Sequence, residues 1–185
     1  MPVQFERARF TVSVNGERVG TEEFSVSEDG SGFVVRGHTR LKVDGNSVDV
    51  QSRMELDENL NPTFYEYRSQ EILIQVRLAN PVSEVEYTVD GQSTPYDVRI
   101  PTNRMIVDNN FFHHYLLLLY KVGREGGGLP VFVSNEMQLG RVTVVPTGNL
   151  TYELDSSNLK LQATTDSDGS RLLRLGLPDS NVVVE

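Results

Sequence analysis

His113 and His114 stand side by side in an apolar run, and histidine is the commonest proton shuttle and metal ligand near neutral pH. Helical zinc sites space their histidines four residues apart, which brings both rings to one side. Adjacent histidines on a helix diverge by about 100° and do not converge on one ion. The third histidine, His38, falls on the polar face of its strand. The expectation is therefore a rim of solvent-facing histidines and no metal site. General-base chemistry by His113 or His114 would require one of them to lie in a cleft beside a carboxylate. The acidic pairs Glu22-Glu23, Asp57-Glu58 and Glu84/Glu86 are the other candidates for acid–base work. Glycoside hydrolysis needs two carboxyl groups fixed across a cleft, whereas acids on edge strands deter strand-to-strand aggregation. Surface charge is the simpler reading of these pairs.

The remaining motifs carry little chemistry. Asp166-Ser167-Asp168-Gly169 begins like a calcium loop but lacks the bidentate acid that closes one. An Asp-Gly turn accounts for it. No serine sits in a nucleophile elbow, and no Walker or dinucleotide glycine pattern occurs. Asn149-Leu150-Thr151 fits a glycosylation acceptor, which matters only in a eukaryotic secretory setting. With no cysteine, disulfides, thiolate metal sites and cysteine nucleophiles are excluded. These observations point away from an enzyme, and no catalytic residue, metal or cofactor is expected.

The elements that position these residues are mostly strands. Phe10, Val12 and Val14 alternate with Thr11 and Ser13 before Asn15-Gly16, the strongest short hairpin signal. Phe33, Val35, Gly37, Thr39, Leu41 and Val43 share one face of the next clear strand, opposite Arg36, His38, Arg40 and Lys42. Val48, Val50, Ser52, Met54 and Leu56 repeat the pattern, and period-two alternation with one polar face means a half-buried antiparallel sheet. Thr63–Leu78 reads as a long strand or bent pair, and Val85–Val89 turns at Asp90-Gly91 into Tyr96–Ile100. Pro95 and Pro101 make that last stretch an edge strand or irregular. Further strands are expected at Pro130–Ser134, Leu139–Val145, Leu150–Leu154, Leu159–Ala163 and Leu172–Leu177. Turns are expected at Glu28–Gly32, Thr147–Asn149, Asp155–Asn158 and Asp166–Gly169, and the glycine run 126–128 reads as a mobile loop. Ten or eleven strands in all, with no linker, predict a single domain over 1–185.

One helix interrupts the series, over 108–122. Wound at about 100° per residue, it gathers Phe111, Phe112, Tyr115, Leu116, Leu118, Leu119 and Val122 on one arc. His113, His114, Tyr120 and Lys121 fall on the remainder. Asp108 or Asn109 would cap its start and Gly123 would end it. The fold class expected is mainly β: a curved antiparallel sheet, half-barrel or barrel, wrapped on this central helix. The apolar arc has a structural reading, in which each large side chain adds roughly 1.5–3 kcal/mol of burial. It also has a functional reading, in which it closes a hydrophobic pocket. Gly37, Thr39 and Ser52 interrupt the facing strands with small or polar side chains and would leave room opposite the helix, or mark bends.

Three stretches carry a resemblance: Phe10-Thr-Val-Ser-Val-Asn-Gly-Glu-Arg-Val-Gly20, Val107-Asp-Asn-Asn-Phe-Phe-His-His-Tyr115 and Ala163-Thr-Thr-Asp-Ser-Asp-Gly-Ser-Arg-Leu-Leu-Arg-Leu-Gly176. Their order resembles an uncharacterised bacterial envelope family whose architecture is like that of the Lol-type periplasmic lipoprotein carriers. The resemblance implies an incomplete barrel over a helix, with acyl chains held in the hollow of its best-understood relatives. It raises non-catalytic carriage of a lipid or other apolar ligand, held between the helix and the concave sheet face, to the leading expectation, and the apolar arc of the helix offers Phe111, Phe112, Tyr115, Leu116 and Leu119 as the lining. The alternative is a structural or interaction protein of the envelope whose core is filled and whose edges or loops meet a protein partner.

Charge and hydropathy bound the partners. A net charge of −9 disfavours nucleic acid and anionic membrane surfaces. The longest apolar stretch, 115–120, is far too short to span a bilayer, so an integral membrane protein is not expected. Met1-Pro2-Val3-Gln4 opens without a basic or apolar leader segment. The expected location is the periplasm or envelope if a leader was removed, and the cytoplasm otherwise.

Overall fold

A computed structural model describes residues 7–30, 32–156 and 159–185. The expected turns through Ser31 and through Ser157-Asn158 lie partly outside these residues. Among the described residues fifteen strands form one sheet. In chain order they are β1 (Arg7–Val14), β2 (Glu17–Asp29), β3 (Gly32–Val43), β4 (Asn46–Leu56), β5 (Pro62–Arg68), β6 (Ile72–Arg77), β7 (Ser83–Val89), β8 (Gln92–Val98) and β9 (Met105–Ile106). After the helix α1 (His113–Val122) come β10 (Gly127–Val133), β11 (Gln138–Gly148), β12 (Thr151–Ser156), β13 (Leu159–Thr165), β14 (Leu172–Leu177) and β15 (Val182–Val184).

Two meanders make the sheet. The strands β1 to β8 follow one another outward, as do β15 back to β9, and the meanders join where β1 pairs with β15. Val12 faces Val184 and Val14 faces Val182 across that seam. Every pairing is antiparallel except β9 with β10. A parallel pair needs a crossover of a dozen residues or more, and α1 lies in that connection. The sheet is curved but not closed, since β8 and β9 are its two free edges. Its curl brings β9 against β5, and the 3-10 turn Ser134–Glu136 against β6.

Alternation determines which side chains face inward. Phe24 and Val26 of β2, Val35 of β3, Met54 of β4, Tyr65 of β5 and Ile74 of β6 are buried in one continuous core with α1. The hairpin at Asn15-Gly16 has both residues at positive φ, 52° and 81°, the mirror-image turn that matches the strand twist. Pro95 lies in β8, whose residues are largely exposed at the sheet edge, as its sequence predicts.

Several expectations need correction. The helix spans ten residues and starts at His113, not at 108. Neither Asp108 nor Asn109 caps it; Phe112 occupies the cap position and contributes no side-chain bond. Its end is as expected: Gly123 takes φ 77° and donates its N–H to the Leu119 carbonyl at 2.9 Å. Gly127 and Gly128 begin β10 and do not form a loop. The strand β9, of two residues, and β15, of three, are too short for alternation to register.

Candidate functional site

Both histidines are buried, His113 at 1% and His114 at 0% exposure, in place of the solvent-facing rim expected for them. The physical reason is that the sheet curls around α1, so the helix has no free polar side. Its residues 113–120 are all buried, and a helix covered on every side must house its polar groups in the core.

Glu22 houses the first of them. It shares the inward face of β2 with Phe24 and Val26 and is fully buried. Its carboxylate accepts the Phe112 N–H at 2.8 Å and the His113 N–H at 3.3 Å. A helix N-terminus leaves such N–H groups without partners and favours negative charge beside them. Glu22 thus caps α1 from a strand some ninety residues away. The same carboxylate also accepts a hydrogen bond from Nδ1 of His113. The surface charge expected of the Glu22-Glu23 pair holds only for Glu23, which is partly exposed and pairs with Arg9 and Arg40.

Gly37 makes the seat for the His113 ring. A Cβ there would stand 2.3 Å from Cε1 of His113 and 2.9 Å from Oγ of Ser52. Phe24, next to Gly37 across the ladder, stacks on the ring with centroids 5.5 Å apart. The room foreseen at Gly37 is therefore filled by a histidine, not by a ligand.

His114 and Asp108 form a second polar centre. Nδ1 of His114 accepts the Asp108 N–H at 3.1 Å. Burial, and then the neighbouring His113, hold the His114 pKa well below its ordinary value of 6.5. The ring is neutral, with its proton on Nε2. Asp108 accepts hydrogen bonds from the Tyr65 hydroxyl, the Ser134 hydroxyl and the Ser134 N–H, each at 2.7 Å. Burial raises its pKa, and these bonds pull the other way. At the far end of α1, Lys121 donates to the Leu60 carbonyl at 3.1 Å. Partial burial lowers its pKa to about 8, against the pull of Asp57.

His113 lies beside a carboxylate, as general-base chemistry demands, but both groups are sealed in the core and offer no atom to a substrate. Among the described residues no three metal-ligating side chains gather at one point. The geometry of the two polar centres is that of a cap and a clasp.

The apolar candidates divide. Phe112 and Tyr115 form part of the wall of a groove of about 350 Å³ between the start of α1 and β10–β13. Val131, Val142, Leu159 and Leu161 continue its apolar wall, and Asn109, Glu136 and Gln138 bring polar groups to it. Leu116 adjoins a different recess of about 360 Å³, shared with Phe10, Phe24, Leu172 and Leu173. Phe111 and Leu119 border neither space; both are fully buried in the core. A third valley, of about 410 Å³, is lined mainly by polar side chains including Arg7, Arg36 and Arg53. The groove's wall on β10–β13 was not legible, because strand alternation shows which residues face inward but not where the inward face separates from the helix.

No family model matches this chain, and no curated protein or solved structure is significantly similar to it. No helix among the described residues is long and apolar enough to cross a membrane.

Proposed function

We propose that the protein binds a lipid or similar apolar ligand without transforming it, in the groove walled by Phe112 and Tyr115. The observation that carries this reading is a space of about 350 Å³ with valine, leucine and aromatic walls directly against the helix. Small-molecule sites are mostly apolar concavities of roughly 300–1,000 Å³ with a few polar groups for orientation, and the groove has both features. Burial of acyl or ring surface supplies the affinity. Of the lining first expected, Phe112 and Tyr115 touch the ligand in this reading, while Phe111 and Leu119 fix the helix and Leu116 serves the neighbouring recess. The resemblance to the Lol-type carriers supports the same ligand class and a place of action in the bacterial envelope.

The second reading is a structural or interaction protein with a filled core. Leu117, Leu118 and Leu119, all at most 1% exposed, favour it. Native mass spectrometry followed by organic extraction, on protein purified without detergent, separates the two. Carriage predicts a co-purifying lipid or saturable uptake of a fluorescent fatty-acid probe. An empty protein that also ignores the probe would leave the scaffold reading in its place.

A further inference from the structure

We propose that the protein has a second binding site, on the outer face of β1–β4, which holds the phosphate group of a small soluble phosphomonoester between Arg7 and Arg36. The site stands on observations separate from the apolar groove, so either can fail without the other.

Strand register builds it. Arg7 of β1 faces Ser25 of β2, Ser25 faces Arg36 of β3, and Arg36 faces Arg53 of β4. Residues directly opposite one another in a ladder share one face of the sheet. Here it is the face away from α1, because their chain neighbours Phe24, Val35 and Met54 are buried in the core with the helix. Arg7 and Arg36 are exposed and stand two strand spacings apart, about 10 Å. Only the short side chain of Ser25 lies between them in the row. The valley of about 410 Å³ follows this row and is lined by all four residues.

The acids nearby are already engaged. Glu23 lines the valley and pairs with Arg9 and Arg40; Glu66 lines it and pairs with Arg68. Arg53 pairs with Glu55. Among the described residues Arg7 and Arg36 have no ion-pair partner. Like charges directly opposite in a sheet destabilise it, and Arg36 stands opposite Arg53. Two unpaired guanidinium groups in one valley, in a chain of net charge −9, concentrate positive charge where a bound anion would offset it. Arginine meets phosphate through parallel N–H donors. A doubly charged group matches the two free charges, and its tetrahedral oxygens can receive one guanidinium from each side of Ser25. The valley has room for a small molecule behind the phosphate, while the net charge of the chain opposes approach to an anionic membrane.

Isothermal titration calorimetry of the full chain with inorganic phosphate and with glycerol 3-phosphate tests this, at constant ionic strength and about pH 7.5, where phosphate is largely doubly charged. Both should bind. Arg36→Gln and Arg7→Gln should each weaken binding about tenfold, the loss of one charge-assisted pair. Arg174→Gln removes an exposed arginine of β14 and should leave binding unchanged. Thermal melts without phosphate verify that the variants fold. Absence of binding by the unaltered protein, or equal binding by Arg36→Gln, overturns the site. Flotation with vesicles of phosphatidylcholine and phosphatidate that depends on Arg36 overturns the soluble source and assigns the phosphate to a lipid head group.

Discussion

Glu22 stands on the apolar face of a strand, where an unpaired carboxylate would cost several kcal/mol. It is tolerated because α1 presents two backbone N–H groups and the His113 ring to it. Glu22→Ala removes the acceptor and leaves those donors buried without partners. We expect a loss of about 3–5 kcal/mol in urea unfolding. Glu22→Gln keeps one carbonyl oxygen for the backbone and should lose roughly half as much; equal losses would mean that the charge, not the cap, is what matters. His114 makes a prediction about pH. Its pKa is lowered in the fold, so its contribution is intact above the unfolded value of 6.5 and is lost as pH falls below it. In that window the unfolded chain takes up a proton that the buried ring refuses, and stability falls by up to about 1.4 kcal/mol per pH unit. His113, Asp108 and Tyr65 pack around the ring and are present in both proteins compared. The measurement is therefore the difference in slope between the protein and His114→Asn from pH 7.5 to 5, with the slope shallower in the variant. None of these roles was legible in the chain. Reading Glu22 as inward follows from its parity with Phe24 and Val26, but its neighbour Glu23 makes the pair look like surface charge. The burial of His113 depends on a glycine in a distant strand.

Gly37 on β3 and α1 fit each other as surfaces, and the fit is testable as a pair. Gly37→Ala puts a methyl group 2.3 Å from the His113 ring. Overpacking of this kind costs about 1–3 kcal/mol. If the ring is what the methyl meets, His113→Ala should absorb most of that cost, and the double variant will be more stable than the two single losses added together. Simple additivity in denaturant unfolding would place the strain elsewhere, in the backbone of β3 or at Ser52. At this scale the sequence was informative. The alternation in β3 and β4, the hairpins at Asn15-Gly16, Asp44-Gly45 and Asp90-Gly91 and the glycine end of α1 all appear where local physics places them. What escaped had non-local causes. The helix starts five residues later than 108 because its first N–H groups find Glu22 on another element, not a local cap. The strands β9 and β15 exist because a neighbouring edge is available, not because their own residues demand it. Gly127 and Gly128 extend because Val144 and Thr143 pair with them.

An open sheet of fifteen strands must hold its curl without a closing ladder. The edge at β8 stays blunt: Pro95 lacks an N–H in the middle of the strand, which prevents another chain from completing a ladder there. The opposite edge, β9, is held by side chains. Asp108, just past β9, receives the Tyr65 hydroxyl from β5 and the Ser134 N–H and hydroxyl from the turn after β10. One carboxylate thus ties the two ends of the sheet together where a barrel would use backbone bonds. The clasp also sets the groove, because Val107, Phe112 and Glu136 all lie within a few residues of its members. Two substitutions separate its parts. Tyr65→Phe removes the one hydrogen bond by which this carboxylate reaches β5 and should cost about 1 kcal/mol. Asp108→Ala removes the acceptor of the Tyr65 hydroxyl, both Ser134 donors and the Asn135 N–H, and should cost about 3–5 kcal/mol. Hydrogen exchange distinguishes local loss from loss of the clasp. In Asp108→Ala the amides of β9 and β10 should exchange faster, while those of β2 to β4, on the far side of the seam, keep their protection relative to global stability. If protection falls evenly over all strands, Asp108 is an ordinary core contact, and the curl is held by the packing of α1 alone.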